Sequence, residues 1–141
     1  MRKTKMERIE IDGTSYPIRC DMNVLEEIQD ERGISISQFE REMIGAVILR
    51  DSEGKPQIND DMSLKLVKGN PKIKTLMMAL ELFINEGLAI EAEESGKAVK
   101  QVTERELRIK CDMSPEELSG ILHDEFARCV AVKKKSSKQD E

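Results

Sequence analysis

Near the N-terminus, apolar and polar side chains alternate in two short runs. The apolar members of these runs are Ile9, Ile11, Tyr16, Ile18 and Cys20. A period of two predicts two β-strands that each bury one face. Asp12 and Gly13 lie between the runs. Because glycine accepts the positive φ of a tight turn, this pair predicts a β-hairpin.

A helical pattern follows the hairpin. Asn23 with Glu26 three residues later predicts a capping box, in which each residue's side chain binds the backbone of the other. The apolar residues on the buried side of this helix would be Val24, Leu25 and Ile28. Gly33 predicts the end of the helix, because glycine readily adopts the left-handed conformation that closes helices.

The next segment has a mixed pattern. Ser37 and Glu40 form a second capping-box pattern and predict a helix. Its apolar face would comprise Phe39, Met43 and Val47. Because valine and isoleucine favour strands, residues 46–50 fit a strand as well as the end of this helix. Residues 51–59 have the composition of a surface loop, and residues 61–68 predict a short helix.

The longest helix is predicted to start at Asn70 and Pro71 and to end near Glu94. Asparagine is a good helix cap, and proline fits the first helical position because the missing N–H would be unpaired there anyway. The buried stripe of this helix has the expected period of about 3.6 residues. It comprises Ile73, Leu76, Met77, Leu80, Phe83, Ile84 and Leu88.

The same helix carries a second apolar set almost opposite this stripe. Its members are Met78, Leu82 and Ala89. A helix that is apolar on two sides is either central in its own domain or half-covered by a partner. Methionine is flexible and suits surfaces that accept apolar segments of another chain. We therefore take these three residues as candidate partner contacts, with a central position in the core as the open alternative.

Two further helix starts are predicted in the C-terminal part. Thr103 with Glu106 is a third capping-box pattern. Ser114 and Pro115 combine a capping side chain with a proline at the first helical position. The buried side of the last helix would comprise Leu118, Leu122, Phe126 and Cys129.

These patterns together predict a single domain. Residues 109–114 resemble residues 18–23. Three interpretations of this likeness are open: the segments share the residues of a helix start, they belong to a duplicated unit, or residues 106–111 form a strand that pairs with the first hairpin. The lysine-rich residues 133–141 bury nothing and are predicted to be a disordered tail. We expect a globular domain over residues 1–132 with a mostly α-helical α+β fold, in which an N-terminal β-hairpin packs on about four or five helices.

Composition narrows the classes of partner. The chain has 141 residues, a net charge of −5 and 36% charged residues. Binding of nucleic acid needs clustered lysine and arginine, which this acidic balance argues against. No apolar run approaches the roughly 20 residues of a membrane span. The three cysteines are odd in number and far apart, which fits reduced thiols better than disulfides. We expect a cytoplasmic protein that binds neither nucleic acid nor a membrane.

Candidate chemistry is sparse. The single histidine, His123, has no nucleophile or base pattern near it. It is predicted to lie beside the apolar stripe of the last helix, at the surface or at the boundary of the core. Cys111, His123 and Cys129 could meet, but zinc sites favour closely spaced pairs, and the chain has none. It also has no glycine-rich phosphate loop. We therefore predict no catalytic, cofactor or metal site, and no enzyme.

The N-terminal motifs resemble a known family. They are Ile11-Asp12-Gly13, Tyr16-Pro17-Ile18-Arg19 and Met22-Asn23-x-Leu25-x-Glu27. The likeness continues in residues 72–87 and 103–135, whereas residues 44–70 depart from the family pattern. The chain resembles the small tail assembly chaperones of long-tailed bacteriophages and of prophages of Gram-positive bacteria.

The resemblance implies a function without turnover. A tail assembly chaperone would keep the tape measure protein soluble in the bacterial host cytoplasm and help to recruit tail tube subunits. Self-association into a homo-oligomer is left open. The alternative is a small acidic regulator or anti-repressor that acts by protein–protein binding. Both interpretations describe a binding protein, and they differ in the partner.

Overall fold

The computed structural model describes the backbone of residues 4–139 and the side chains of residues 4–131. The elements in chain order are β1 (Glu7–Ile11), β2 (Thr14–Ile18), α1 (Met22–Glu26) with a π-helical turn directly after it (Glu27–Glu31), α2 (Ile36–Ile44), β3 (Ala46–Ile48), β4 (Leu66–Lys68), α3 (Ile73–Ser95), α4 (Glu104–Lys110) and α5 (Pro115–Gln139). The predicted fold class is confirmed: an N-terminal antiparallel β-hairpin is followed by a mostly helical chain.

The N-terminal hairpin forms as its pattern predicts. β1 and β2 pair antiparallel, with Ile9 opposite Tyr16. Asp12 has a φ of 49° and Gly13 a φ of 78°, the two positive angles that a tight hairpin turn requires. Ile9, Ile11 and Ile18 are buried.

Pro17 departs from the predicted alternation because it is buried as well. The cause is a close approach of α3, where a Cβ built on Gly87 would lie 2.8 Å from the carbonyl oxygen of Pro17. One turn earlier on α3, the carbonyl oxygen of Phe83 accepts a hydrogen bond of 3.0 Å from the backbone N–H of Arg19. Because Gly87 has no side chain, the backbone of the hairpin can contact α3 directly. This backbone contact holds the hairpin against α3.

The cap of α1 differs from the prediction. Asp21, with an extended φ of −148°, accepts a hydrogen bond of 3.2 Å from the N–H of Val24, so Asp21 and not Asn23 is the N-cap. The side chain of Asn23 instead donates to Glu86 on α3 at 3.0 Å. Asn23 is already inside the helix because the backbone turns immediately after β2. The predicted end is confirmed, since Gly33 adopts a φ of +68°.

The cap of α2 is also shifted. Ser35 accepts the hydrogen bond from the N–H of Gln38 at 3.2 Å, two residues before the predicted cap at Ser37. Phe39 and Met43 are buried as predicted. The helix ends at Gly45, whose φ is 79°, so Val47 belongs to β3 and not to the helix.

Residues 46–68 form an antiparallel arm, which we call the β arm. β3 pairs with β4 in the register Ala46↔Lys68, Val47↔Val67 and Ile48↔Leu66. Two isolated bridges, Arg50↔Pro56 and Ile58↔Leu64, each close a short turn at the outer end of the arm. The helix predicted over residues 61–68 is wrong, and the strand interpretation of residues 46–50 is confirmed for β3. Leu64, Lys65 and Leu66 alternate between apolar and polar, and this period of two favours a strand over one face of a helix.

α3 begins at Ile73, later than Asn70 and Pro71 predict, and no side chain caps it. The preceding residues take part in a close crossing at the root of the β arm, where the N–H of Gly69 donates to the carbonyl of Gly45 at 2.6 Å. Every member of the predicted stripe is buried except Ile73, which is 45% exposed. The helix ends before Gly96, whose φ is 73°.

Both C-terminal caps are confirmed. Thr103 accepts a hydrogen bond from the N–H of Glu106, and Ser114 accepts one from the N–H of Glu117, each at 3.2 Å. Residues 104–110 are helical, so the predicted alternative of a strand over residues 106–111 is wrong. The likeness between residues 109–114 and 18–23 is therefore not a repeated structural unit.

α5 extends further than predicted. It continues to Gln139, so it includes most of the segment 133–141 that was expected to be a disordered tail. Lysine is a good helix former, and adding residues to an existing helix is much more favourable than nucleating a new one. Asp140 and Glu141 lie outside the described residues.

An ion pair between a buried carboxylate and an arginine whose side chain is 35% exposed joins α5 to the segment after β2. The carboxylate of Glu125 is 2% exposed and accepts a hydrogen bond of 2.7 Å from the N–H of Cys20. Arg128 donates to both carboxylate oxygens of Glu125 at 2.9 and 2.7 Å, and to the carbonyl of Cys20 at 2.8 Å. Both backbone polar groups of Cys20 are thus paired by α5 side chains.

Candidate partner-binding surface

A shallow depression of about 360 Å³ lies between α1 and the outer side of α3. We call it the α3 depression. Its lining includes Asn23, Glu27, Leu82, Glu86 and Ala89. The apolar part comes from Leu82 and Ala89 on α3 and from Val24 on α1, and the polar part comes from both helices, the turn after α1 and Gln101. Its shape and mixed chemistry fit a protein segment better than an enclosed small molecule.

Two of the three predicted partner contacts reach this depression. Leu82 and Ala89 are half-buried and line it. Met78 is 6% exposed and packs in the core of its own domain. α3 is therefore central over its first turns, as the alternative interpretation of the second apolar set predicted, and it is less covered where Leu82 and Ala89 lie.

The segment before α4 covers part of this second side of α3. The side-chain oxygen of Asn85 accepts a hydrogen bond of 2.8 Å from the N–H of Val102, and its amide donates to the carbonyl of Val102 at 2.9 Å. Glu81 accepts a hydrogen bond of 2.6 Å from the N–H of Glu104. These contacts hold residues 102–104 beside the α3 depression.

The rim of the depression is acidic, with one nearby cation. Arg32 forms an ion pair with Glu81 at 3.2 Å and a longer one with Glu27 at 3.8 Å. Glu86 accepts a hydrogen bond from the amide of Asn23 at 3.0 Å. The negative rim would favour a partner that presents basic side chains beside apolar ones.

Glu86 has an unusual protonation behaviour. A hydrogen bond with the carboxyl group of Asp21, followed by partial burial and the negative charges of Asp21 and Glu93, raises the pKa of Glu86 to about 7 from its ordinary 4.5. The charge of the rim therefore changes close to neutral pH. Sequence reasoning missed this pair, because Asp21 and Glu86 are far apart in the chain and share no local pattern.

We expect Glu86→Gln to flatten the pH dependence of stability. The folded protein holds the Glu86 proton up to about pH 7, whereas the unfolded chain releases it near pH 4.5. The stabilisation from this group is complete below the lower value and is lost as the pH rises through the higher one. With allowance for solvent screening, we expect the free energy of unfolding of the wild type to fall by about 1 kcal/mol as the pH rises through this range. Urea unfolding at a series of pH values measures it.

Glutamine keeps the shape and hydrogen bonds of Glu86 but does not titrate, so the variant should retain this stability at alkaline pH. Glu10→Gln, at an exposed position on β1, is the control and should unfold with the wild-type pH dependence. Equal pH dependence in Glu86→Gln and the wild type would contradict the prediction.

His123 and the three cysteines pack against other side chains of the domain. The Nε2 atom of His123 lies 2.9 Å from Glu40 Oε2, and its ring stacks on Phe126 with 6.1 Å between ring centroids. Burial raises the pKa of the Cys20 thiol well above its ordinary range, with a further contribution from neighbouring Cys129, so the thiol stays protonated and unreactive. Within residues 4–131 no cluster of three or more His, Cys, Asp or Glu side chains could hold a metal ion.

Across the part of the chain that the structure describes, no helix combines the length and the apolar character needed to cross a membrane. Comparison of the chain with protein-family models, with curated proteins and with solved structures finds no match.

Proposed function

We propose that this protein is a non-enzymatic tail assembly chaperone that binds the tape measure protein in the host cytoplasm and assists assembly of the tail tube. One observation supports this proposal most strongly. Asn23 and Glu27, which belong to the motif resembling the chaperone family, line the same depression as Leu82 and Ala89. Two independent sequence features thus converge on a single surface.

The chemistry of this surface suits a helical client. Leu82 and Ala89 offer apolar contact, and Glu27, Glu81 and Glu86 surround them with carboxylates. An amphipathic client helix would place its apolar side chains on the floor and its basic side chains at the rim. Affinity would come from apolar burial, and the acidic rim would set orientation and the rate of encounter.

The test is co-expression with the longest coiled-coil reading frame of the gene neighbourhood, followed by affinity capture and measurement of client solubility. The double variant Leu82→Gln/Ala89→Gln removes the apolar floor while keeping helix-forming residues. We expect at least about tenfold weaker capture, because each glutamine would place an amide without a hydrogen-bonding partner against the apolar client, at a cost of about 1–3 kcal/mol. Soluble client should decrease in parallel.

The matched control is Ile109→Gln on α4. Ile109 is 70% exposed and does not line the α3 depression, so its loss should leave capture unchanged. Thermal unfolding of all variants separates lost binding from lost folding. A client that is soluble alone and is not captured would contradict the proposal, and capture of a repressor-type DNA-binding protein instead would favour the acidic regulator.

A further inference from the structure

The β arm carries most of the exposed apolar surface. Of the twelve large hydrophobic side chains that are exposed within residues 4–131, seven lie in it. They are Val47, Leu49, Ile58, Met62, Leu64, Leu66 and Val67. The sequence predicted a loop and a short helix over residues 51–68 and left a strand over residues 46–50 open, although Leu64, Lys65 and Leu66 alternate as in a strand. Such a concentration of exposed aliphatic side chains marks an interaction surface.

The two strands of the β arm are weakly stabilised by themselves. Its sheet consists of β3 and β4 alone, so each strand has a free edge. An isolated two-stranded hairpin is at best marginally stable in water and gains most from packing against something else. A second element on one of its faces would bury the exposed aliphatic side chains.

The two faces of the β arm differ in the number of aliphatic side chains that they carry. Residues directly opposite each other on paired strands share a face, and so do residues two apart on one strand. The pairs Ile48↔Leu66 and Ile58↔Leu64 therefore lie on one face, which we call the Ile48 face. Val47 and Val67 are paired on the opposite face, and Leu49, two residues after Val47, lies there too. The Ile48 face has the longer row, with four aliphatic side chains against three, of which Ile48 itself is half-buried.

Charge along the β arm is polarised. Its root, residues 46–49 and 64–68, carries two lysines and no acid, a net charge of +2. Its outer part, residues 50–63, carries two basic and four acidic residues, a net charge of −2. The arm as a whole is neutral, although the full chain has a net charge of −5.

We propose that the β arms of two copies of this protein pack antiparallel through their Ile48 faces, about a two-fold axis. In that arrangement the acidic outer part of each arm lies beside Lys68, which is on the Ile48 face of the other copy, and the same contact occurs twice. Lys65 lies on the opposite face and adds positive charge to the same root. A parallel arrangement would place like charges together. The neutral arm also lets two acidic molecules meet without net repulsion between the contacting surfaces.

The root of the β arm holds it in a defined direction. A Cβ on Gly45 would lie 2.6 Å from the backbone carbon of Asn70, and one on Gly69 would lie 2.9 Å from the carbonyl oxygen of Gly45. The two strands thus cross in backbone contact where they leave the domain. This tight crossing limits the orientations of the arm, which lowers the entropic cost of pairing with a second copy.

Sedimentation velocity of the full chain, over concentrations from about 1 to about 100 µM, tests the pairing. We expect the wild type to form a dimer, and Leu66→Lys to weaken dimerisation at least tenfold by placing a charge in the buried face. Val67→Lys is the matched control. It is adjacent, similarly exposed (45% against 48% for Leu66) and on the opposite face, so it should dimerise as the wild type does.

Charge exchange provides a second test. Two double variants should each weaken self-association, because each gives the root and the outer part of the arm charge of the same sign. They are Lys65→Glu/Lys68→Glu and Asp60→Lys/Asp61→Lys. Mixed together, these two variants should form a heterodimer, since each then faces the opposite charge. Circular dichroism establishes that the variants are folded.

Three results would overturn the proposal: a monomeric wild type throughout the concentration range, equal effects of Leu66→Lys and Val67→Lys, or failure of the charge-exchanged variants to associate. The inference depends on the β arm alone. It does not require the proposed chaperone function, and the two tests change no residue in common.

Discussion

Replacing Arg128 by alanine is expected to lower the free energy of unfolding by about 3 kcal/mol, because it leaves a buried carboxylate without its cation. Glu125 is 2% exposed, and Arg128 donates to both of its carboxylate oxygens. The same substitution removes the donor to the carbonyl of Cys20. Urea unfolding followed by circular dichroism measures the loss.

Arg108→Ala is the matched control for this prediction. Arg108 pairs with Glu104 at 3.0 Å within α4, but side-chain exposures of 42% and 32% leave that pair in contact with water. Surface ion pairs of this kind contribute about 0.5 kcal/mol. If Arg128→Ala cost no more than Arg108→Ala, the Glu125 carboxylate would have to find water or another partner, and its role as a buried anchor would be refuted.

The double variant Glu125→Gln/Arg128→Ala separates charge from hydrogen bonding. Glutamine still offers an oxygen to the N–H of Cys20, but it carries no charge that needs a cation. We expect this double variant to recover about 1 kcal/mol or more of the loss seen in Arg128→Ala. The recovery would show that the penalty comes mainly from the unpaired charge.

Gly87→Ala is expected to destabilise the protein by about 2 kcal/mol, even though alanine is the better helix former. The added Cβ would lie 2.8 Å from the carbonyl oxygen of Pro17 and 2.9 Å from its carbonyl carbon. These are backbone atoms, so the hairpin as a whole would have to move away from α3. Thermal unfolding should show a lower midpoint.

Gly120→Ala is the control within the same protein. Gly120 lies inside α5, and a Cβ built on it meets no atom within 4 Å. The substitution should therefore stabilise the protein by about 0.5–1 kcal/mol through helix propensity alone. Opposite signs at the two glycines are the expected result. A stabilising Gly87→Ala would mean that the hairpin can shift at little cost.

The two proposed interaction surfaces are chemically different. The α3 depression combines an apolar floor with an acidic rim, whereas the β arm is neutral overall and aliphatic on both faces. They share no residue. Binding of a client and pairing of two copies can therefore be tested separately, and each can be present without the other.

Features encoded by neighbouring residues could be predicted from the sequence. The hairpin turn depends on Asp12 and Gly13, and the caps of α4 and α5 depend on Thr103 and Ser114. Each of these makes its decisive contact within three or four residues along the chain. The buried stripe of α3 was also predictable, because a repeat of apolar residues must face the core.

Features that depend on distant contacts could not be predicted. The alternation of β2 does not show that Pro17 is buried, because its cover is α3, which follows much later in the chain. Asn23 has the composition of a cap, yet its partner is Glu86 and the cap is Asp21. The raised pKa of Glu86 likewise arises from a carboxyl pair formed only by folding.

The amino-acid order alone therefore established the fold class, the caps of α4 and α5, the glycine ends of α1 and α3 and most of the core, because those follow from propensity, capping and periodicity over a few residues. Folding in three dimensions established that Met78 is covered while Leu82 and Ala89 are partly open. It also made a β arm from residues 46–68, since strand pairing joins segments whose local patterns are ambiguous. Surfaces arise from the packing of distant elements, and both candidate interaction sites depend on such contacts.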